Sequence, residues 1–417
     1  MPAGSRYGPT AGWERGGVAV AAEPQHPTPG SWFGIAVACV AQFVVVLDGT
    51  IVTTALPAVR SALGFSPVDL PWVLTAYMLV FGGFLIPGGR VADLLGPRRA
   101  FCLGLAAFVA ASVGCASAWS PGVLVGARAL QGLGSALLSP AALALLTVLS
   151  DPGPVRRRAV GWWTAAAAGG GASGWVLGGV FTQYLGWRTV FWVNVPIGLI
   201  ALVAAGRALP EGRRSRGSRL DPGGALGVTA ALGLLVYGLA STGERGLLRV
   251  TSWAPLLLAG CVSAVLVRHL RLAADPLLPP RLLRSRVVAG ANLTALMLTA
   301  TTTPTMYLSA LYVQQVLRLS PARASLLFPV FNLAVIAGSL AGPASLRRIG
   351  PRRALLAGFA GVGTGTVLFA TLPGEGMPIG RVLAAFAVMG MGLGGASVAS
   401  THAGTEAADP AHQGVGA

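Results

Sequence analysis

The chain has 417 residues, 54% of them hydrophobic and only 10% charged, with 59 glycines and a mean hydropathy of +0.70. A soluble domain carries about 25% charged residues, so this composition excludes a large soluble enzyme and indicates a polytopic membrane protein. The formal charge of +17 rests on 30 arginines and no lysine. These lie in short gaps between apolar runs rather than in one basic domain, which argues against a nucleic-acid partner.

In chain order, residues 1–32 are polar and rich in Gly, Pro and Ala, and read as a disordered tail. Apolar runs follow at 33–56, 72–89, 100–119, 121–149, 159–183 and 188–208, which group as a six-helix bundle over 33–210. A linker region, 211–286, contains two extra runs at 223–241 and 252–268. The last four runs, 287–316, 322–346, 354–373 and 379–403, lie within 287–417. A span needs roughly 20 apolar residues, so the sequence predicts twelve transmembrane helices. With alternating gaps, 22 arginines fall on one side, seven on the other and Arg128 within a span. The positive-inside rule then places both ends of this chain in the cytoplasm. The first run is too long for a cleaved leader, and the protein is expected in the plasma membrane.

The chain repeats itself. Leu95-Gly96-Pro97-Arg98-Arg99-Ala100 returns as Ile349-Gly350-Pro351-Arg352-Arg353-Ala354, 254 residues later, and Ser66-Pro67 returns as Ser320-Pro321 at the same offset. Gly132-Leu133-Gly134 is aligned with Gly392-Leu393-Gly394 at an offset of 260, and Asp151-Pro152 with Asp409-Pro410 at 258. The second repeat stops where its fifth helix is due, so the expected architecture is two homologous bundles totalling fourteen helices, with twelve in this chain.

Charge inside a span is costly, about 2.5–3.5 kcal/mol on insertion scales, and marks a residue with a task. Asp48 in the first run and Arg128 in the fourth are such residues. They read either as a protonatable carboxylate facing a cavity and tuned by a fixed cation, or as a static ion pair. The loop after the second run, Gly88-Gly89-Arg90-Val91-Ala92-Asp93-Leu94-Leu95-Gly96-Pro97-Arg98-Arg99, is short and must turn tightly. Asp93 there is placed to meet an arginine or a helix N-terminus. In the fifth run Gly170, Gly174 and Gly178, with Gly179 beside them, form a smooth stripe suited to close helix packing. Gln42, Gln131, Asn292, Gln314, Gln315 and Asn332 are candidate cavity-lining residues, each equally suited to bridging helices. Cys39, Cys102, Cys115 and Cys261 lack metal-ligand spacing and read as buried packing residues.

Together these motifs resemble the major facilitator superfamily, in particular its fourteen-helix drug–proton antiporter branch. Asp48 to Pro57 resembles that branch's first-helix motif, and Gly89, Asp93, Gly96, Arg98 and Arg99 resemble the superfamily's signature loop. Arg128-x-x-Gln131-Gly132-x-Gly134 resembles the fourth-helix motif, Gly170 to Gly179 the antiporter motif, and Trp187-Arg188…Phe191…Asn194-x-Pro196 the sixth-helix entry. Leu94 stands where the family loop usually has Arg, and Trp175 where the antiporter motif usually has Pro.

The resemblance implies a monomeric secondary transporter that exports amphipathic drugs or metabolites in exchange for protons, with no cofactor beyond the proton gradient. Asp48 and Arg128 would couple protons, and Gly89, Asp93, Gly96, Arg98 and Arg99 would gate. An importer of small solutes on the same fold and a non-transporting fragment are the alternatives. No nucleophile triad, metal cluster or nucleotide loop suggests an enzyme.

Overall fold

The computed structural model describes residues 29–150, 154–210, 221–245, 249–273, 286–372 and 379–406. Most of the expected tail, the linker stretch 211–220 and both Asp-Pro pairs (Asp151-Pro152 and Asp409-Pro410) lie outside the described residues. The described chain is all helical. Nine of its helical stretches are long and apolar enough to cross a membrane.

The elements run α1 (Pro29–Leu63), α2 (Trp72–Leu95), α3 (Pro97–Ala116), α4 (Pro121–Leu149) and α5 (Pro154–Tyr184). Next come a short α6 (Thr189–Trp192), α7 (Asn194–Ala208), and the pair α8 (Pro222–Arg245) and α9 (Val250–Leu272). The chain closes with α10 (Arg286–Leu311), ending in a π turn at Tyr312–Val316, then a short α11 (Pro321–Ser325), α12 (Pro329–Ala370) and α13 (Ile379–Glu406). Every predicted run lies in or across these helices. The nine apolar stretches leave out α5, diluted by arginine and glycine, and α10, diluted by threonine.

Helix starts follow local chemistry. Proline, which lacks the N–H that a first turn leaves unpaired, opens α3, α4, α11 and α12. Ser120 and Ser320 cap α4 and α11 by accepting from Val123 N and Arg323 N. The 42-residue α12 is two helices joined at Gly350, where φ is +78°. Gly96, between α2 and α3, has φ +88°. These are the repeat's paired glycines, and a side chain at either would be strained.

The start of α1 packs beside the ends of α4 and α7. An added methyl on Gly34, at the start of α1, would meet Leu149 at the end of α4 and Ala208 at the end of α7. Arg98 Nη2 donates to Gly206 O at 2.6 Å, tying the start of α3 to the end of α7. The arginine-rich segments around Arg98 and Arg352 therefore share one face, and Arg60, Arg188 and Arg323 belong to the other.

The core divides accordingly. One apolar cluster, around Phe101, Leu138 and Ala205, fills the arginine-rich half of α1–α7, and a second, around Leu56, Leu124 and Phe191, fills the opposite half. A third, around Phe328, Phe386 and Met389, belongs to α10–α13 but reaches Trp175 of α5. The extra pair α8–α9 leans on α2, where Thr229 Oγ1 donates to Gly83 O at 3.2 Å. At the ends of that pair, His269 Nε2 and Asp221 Oδ1 are 2.7 Å apart.

Backbone packing resets part of the repeat. Gly132 abuts Tyr77 O and Phe81 N, while Gly390 abuts Phe331 O and Val335 N. Gly134 abuts Gly104 O and Phe108 N, while Gly392 abuts Gly358 O and Val362 N. Gly132 and Gly134 thus correspond to Gly390 and Gly392, at an offset of 258, rather than to Gly392 and Gly394. Low-complexity Gly-x-Gly sequence gave two equally good registers, and only the packing separates them.

Candidate functional site: a buried ion pair beside a central cavity

Asp48 and Arg128 are both fully buried and paired, with Arg128 Nη1 donating to Asp48 Oδ2 at 2.5 Å. Asp48 Oδ1 accepts from Gln131 Nε2 at 2.9 Å and from Asn194 Nδ2 at 2.8 Å. Arg128 also donates through Nη1 to Gln131 Oε1 at 2.7 Å and through Nε to Val73 O at 3.0 Å. Gln131 continues the network to Ser112 Oγ at 2.7 Å. Five helices supply it: α1, α2, α3, α4 and α7. A carboxylate with three donors and a guanidinium with three bonds is a well-compensated buried pair.

Arg128 Nη2 has no hydrogen-bond acceptor; instead the guanidinium carbon lies 4.3 Å from the centre of the Tyr77 ring. Tyr77 OH donates to Ser135 Oγ at 2.9 Å, which fixes the ring in place. Tyr77 is also among the residues that line a cavity of about 410 Å³ between the two bundles. Tyr77 is therefore a partition, with the charge network behind it and the cavity in front.

The expectation that Asp48 itself faces a cavity is corrected. Its neighbour Gly49 lines the cavity, whereas Asp48 points into the first bundle. Of the six polar candidates, Gln42 lines the cavity. Gln131 belongs to the ion-pair network, Asn292 and Gln315 are exposed, and Gln314 bridges the bundles by donating from Nε2 to Thr54 O at 3.2 Å. Asn332 is half-buried, with Oδ1 about 3.7 Å from where a methyl on Gly171 would sit. The cavity wall is otherwise apolar, aromatic and threonine-rich, including Thr50, Thr53, Trp175, Thr302 and Phe331.

The glycine stripe lies against α1. A methyl at Gly170 would overlap Phe43 O, one at Gly174 would overlap Thr50 Oγ1, and one at Gly178 would overlap Thr54 Oγ1. The adjacent face of α5 meets the second bundle instead. Gly179 abuts Pro321 O and Ser325, and Gln183 Oε1 accepts from Ala322 N at 3.1 Å. Trp175 stacks on Phe328 with ring centres 4.2 Å apart and planes 9° apart. These contacts, with Gln314–Thr54, close the cavity toward the arginine-poor face.

In the signature loop, Gly96 makes the turn and Arg98 bonds Gly206 O, as described. Asp93 and Arg99 are exposed, and Asp93 has no ion-pair partner among the described residues. Gly88, rather than Gly89, is the glycine in tight backbone contact, against Ala136 O. Cys261 is exposed, Cys39 and Cys102 are half-buried and Cys115 is buried, so only the last is a true core residue. Among the described residues no cluster of metal-ligating side chains occurs.

Two helical bundles around a central cavity, each built on the same glycine-packed repeat, define a membrane transporter rather than an enzyme. The chain belongs to the Major Facilitator Superfamily, which it matches over residues 38–417. It is 42% identical over 334 residues to a cephamycin export protein of Amycolatopsis lactamdurans, covering 79% of this chain and 68% of that one. It is 37% identical over 402 residues to a puromycin resistance protein of Streptomyces alboniger, covering 94% and 78% respectively. A crystal structure of a peptide transporter in complex with sulfate superposes with a TM-score of 0.61 at 17% identity, over 91% of this chain and 88% of that one. The likeness to that structure is one of fold alone. The chain is accordingly a multi-pass transport protein whose relatives export, or confer resistance to, antibiotics.

Proposed function

We propose that the protein exports amphipathic antibiotics or secondary metabolites across the plasma membrane in exchange for protons, by alternating access. The observation that carries this reading is the Asp48–Arg128 pair with Gln131 and Asn194, held behind Tyr77 on the wall of the central cavity. The three donors converge on one carboxylate, so its charge anchors α4 and α7 to α1. Protonation of Asp48 releases Arg128, Gln131 and Asn194 from one shared anchor, and so loosens α4 and α7 from α1. The state open toward the arginine-rich, cytoplasmic face collects substrate; proton entry and loading then favour the alternative state.

The arginine distribution supports a cytoplasmic location for both ends of this chain. Arg98 and Gly96 brace the cytoplasmic turn between α2 and α3, and Asp93 is free to engage a partner in the other state. The chain acts as a monomer, with protons, substrate and the bilayer as its partners and no cofactor.

The test uses everted membrane vesicles, with a pH gradient, and puromycin and a cephamycin as substrates. Asp48→Asn is expected to abolish uphill accumulation while leaving downhill substrate exchange measurable. Uphill transport retained by Asp48→Asn overturns the coupling role of this residue. Unchanged puromycin and cephamycin susceptibility of a sensitive host expressing the wild-type chain counts against the export reading itself.

A further inference from the structure

A second cavity, of about 380 Å³, is a groove between the two segments of α12 and α13. Gly338, Ala357, Val388 and Gly395 are among its lining residues, and Ile349 and Ala354 mark its arginine-rich end. Met391, also in its wall, is 53% exposed. Leu393, which lines the central cavity, lies two residues and so about 200° around α13 from Met391. The groove therefore faces away from the central cavity. Along α12 it runs from Ile349 to Gly338, about 16 Å at the helical rise. That is close to half the roughly 30 Å hydrocarbon thickness of a bilayer.

The groove arises from differences between the repeats. Backbone packing matches α2 and α3 to α12 at an offset of 254, and α4 to α13 at 258. Phe84, Leu103 and Leu137 thereby correspond to Gly338, Ala357 and Gly395, so three large side chains have small counterparts along one channel. The matching face of the first bundle is outward as well. Leu103 and Leu130, the counterparts of Ala357 and Val388, are 55% and 61% exposed with α5 to α9 in place. On apolar spanning helices, such a face meets lipid.

Charge at the end of the groove changes in the same comparison. Asp93 and Leu94 correspond to Arg347 and Arg348, and Arg98 and Arg99 to Arg352 and Arg353. All four arginines of the second turn are exposed, and residues 286–372 contain no aspartate or glutamate. Arg98 donates to Gly206 O, whereas none of these four side chains has a hydrogen bond or ion pair to a described residue.

We infer that this groove binds an anionic glycerophospholipid, with one acyl chain lying between the α12 segments and α13. Its phosphate meets Arg347, Arg348, Arg352 and Arg353. Guanidinium groups match phosphate geometry, and basic pockets between spanning helices select acidic headgroups. A zwitterionic lipid brings a cation of its own to four positive charges. The site lies outside the central cavity, so the inference holds whatever the chain transports.

Native mass spectrometry of the full chain in an uncharged detergent, titrated with lipid, tests it. Dioleoyl phosphatidylglycerol is expected to bind at least about ten-fold more tightly than dioleoyl phosphatidylcholine, and glycerophosphoglycerol, the headgroup alone, is expected not to bind. Arg348→Gln with Arg353→Gln should weaken the phosphatidylglycerol complex about ten-fold. Arg268→Gln with Arg271→Gln, which removes equal charge from the end of α9, should leave it unchanged. Ala357→Leu with Gly395→Leu gives the groove the first bundle's residues and should also weaken the complex. A methyl on Gly395 would meet only Gly338 O, at 3.9 Å, so the backbone need not shift.

The inference is overturned if phosphatidylcholine binds as tightly as phosphatidylglycerol, or if neither is retained. Equal loss in the Arg268/Arg271 variant would reduce the effect to diffuse charge and overturn it too. Binding of the headgroup alone as tightly as the lipid, or full affinity in the filled-groove variant, would remove the acyl-chain site.

Discussion

At the residue scale, the Asp48–Arg128 pair matters because neither member tolerates solitude. Removing one partner of a buried pair costs about 3–5 kcal/mol, whereas replacing both charges is often neutral. Arg128→Met is therefore expected to lower thermal stability in detergent sharply. Combining it with Asp48→Asn should restore much of that stability, since Asn keeps a side-chain oxygen for Gln131 and Asn194. Uphill transport should stay lost in the double variant. Fluorescence-detected size exclusion after heating, beside a vesicle assay, separates the two effects. Arg128→Lys should not substitute. A lysine ammonium lacks the planar fork that serves Asp48, Gln131 and Val73 O together while lying over Tyr77.

Both charges were legible in the sequence, because an Asp and an Arg inside apolar runs stand out against everything around them. Their pairing was not, since it depends on α1 crossing α4. Asn194 stands out in the sequence only as part of a motif; its further signal is an amide within the apolar run 188–208, where it joins α6 to α7. Gln131 reads equally as a cavity-lining or a helix-bridging residue, because a helix apolar on every side has no periodicity to say which face looks inward. The threonines that line the cavity carry no signal in the sequence, because a hydroxyl that can bond its own helix is ordinary in a span.

At the element scale, α5 has two working faces one residue apart. The face bearing Gly170, Gly174 and Gly178 is fitted to α1 backbone and threonine hydroxyls, while that bearing Trp175 and Gly179 is fitted to the second bundle. Substitutions should divide accordingly. Gly174→Val is expected to reduce folded yield, because overpacking of a tight seam costs about 1–3 kcal/mol or more. Gly179→Val should fold but disfavour closure at the arginine-poor face. Spin labels at Arg188 and Arg318 would then report longer distances than in the wild type.

The glycine spacing announced the first face. The second was hidden, because Trp175 reads in sequence as a missing helix-bending proline rather than as a new aromatic contact. Its burial against Phe328 supplies the reason for the departure.

At the scale of the whole molecule, the contacts between bundles gather on one side of the cavity: Gln183–Ala322, Gly179–Ser325, Gln314–Thr54 and Trp175–Phe328. Linking Gln183→Cys to Ala322→Cys with a short bismaleimide, in a chain whose four native cysteines are replaced, should hold this arrangement and stop uphill transport. The singly substituted chains should keep it. Transport that persists after quantitative linking would show that these ends need not separate. The two-bundle plan was readable from repeated motifs, whereas the side on which the bundles meet was not. Apolar helices of similar composition carry no mark of which end closes.

The corrected register has a consequence beyond architecture. At the 258-residue offset Arg128 corresponds to Phe386 and Gln131 to Met389, both fully buried in an apolar cluster. Among the described residues the two halves thus share a backbone scaffold, while the ionic network belongs to the first. On the proposed coupling role, the first half carries the constraint of energy conversion and the second is released from it. Gene duplication in this arrangement separates what must be preserved from what can vary. A lineage meeting new toxic metabolites can then revise the Phe331 side of the chamber without disturbing the groups that answer to protons.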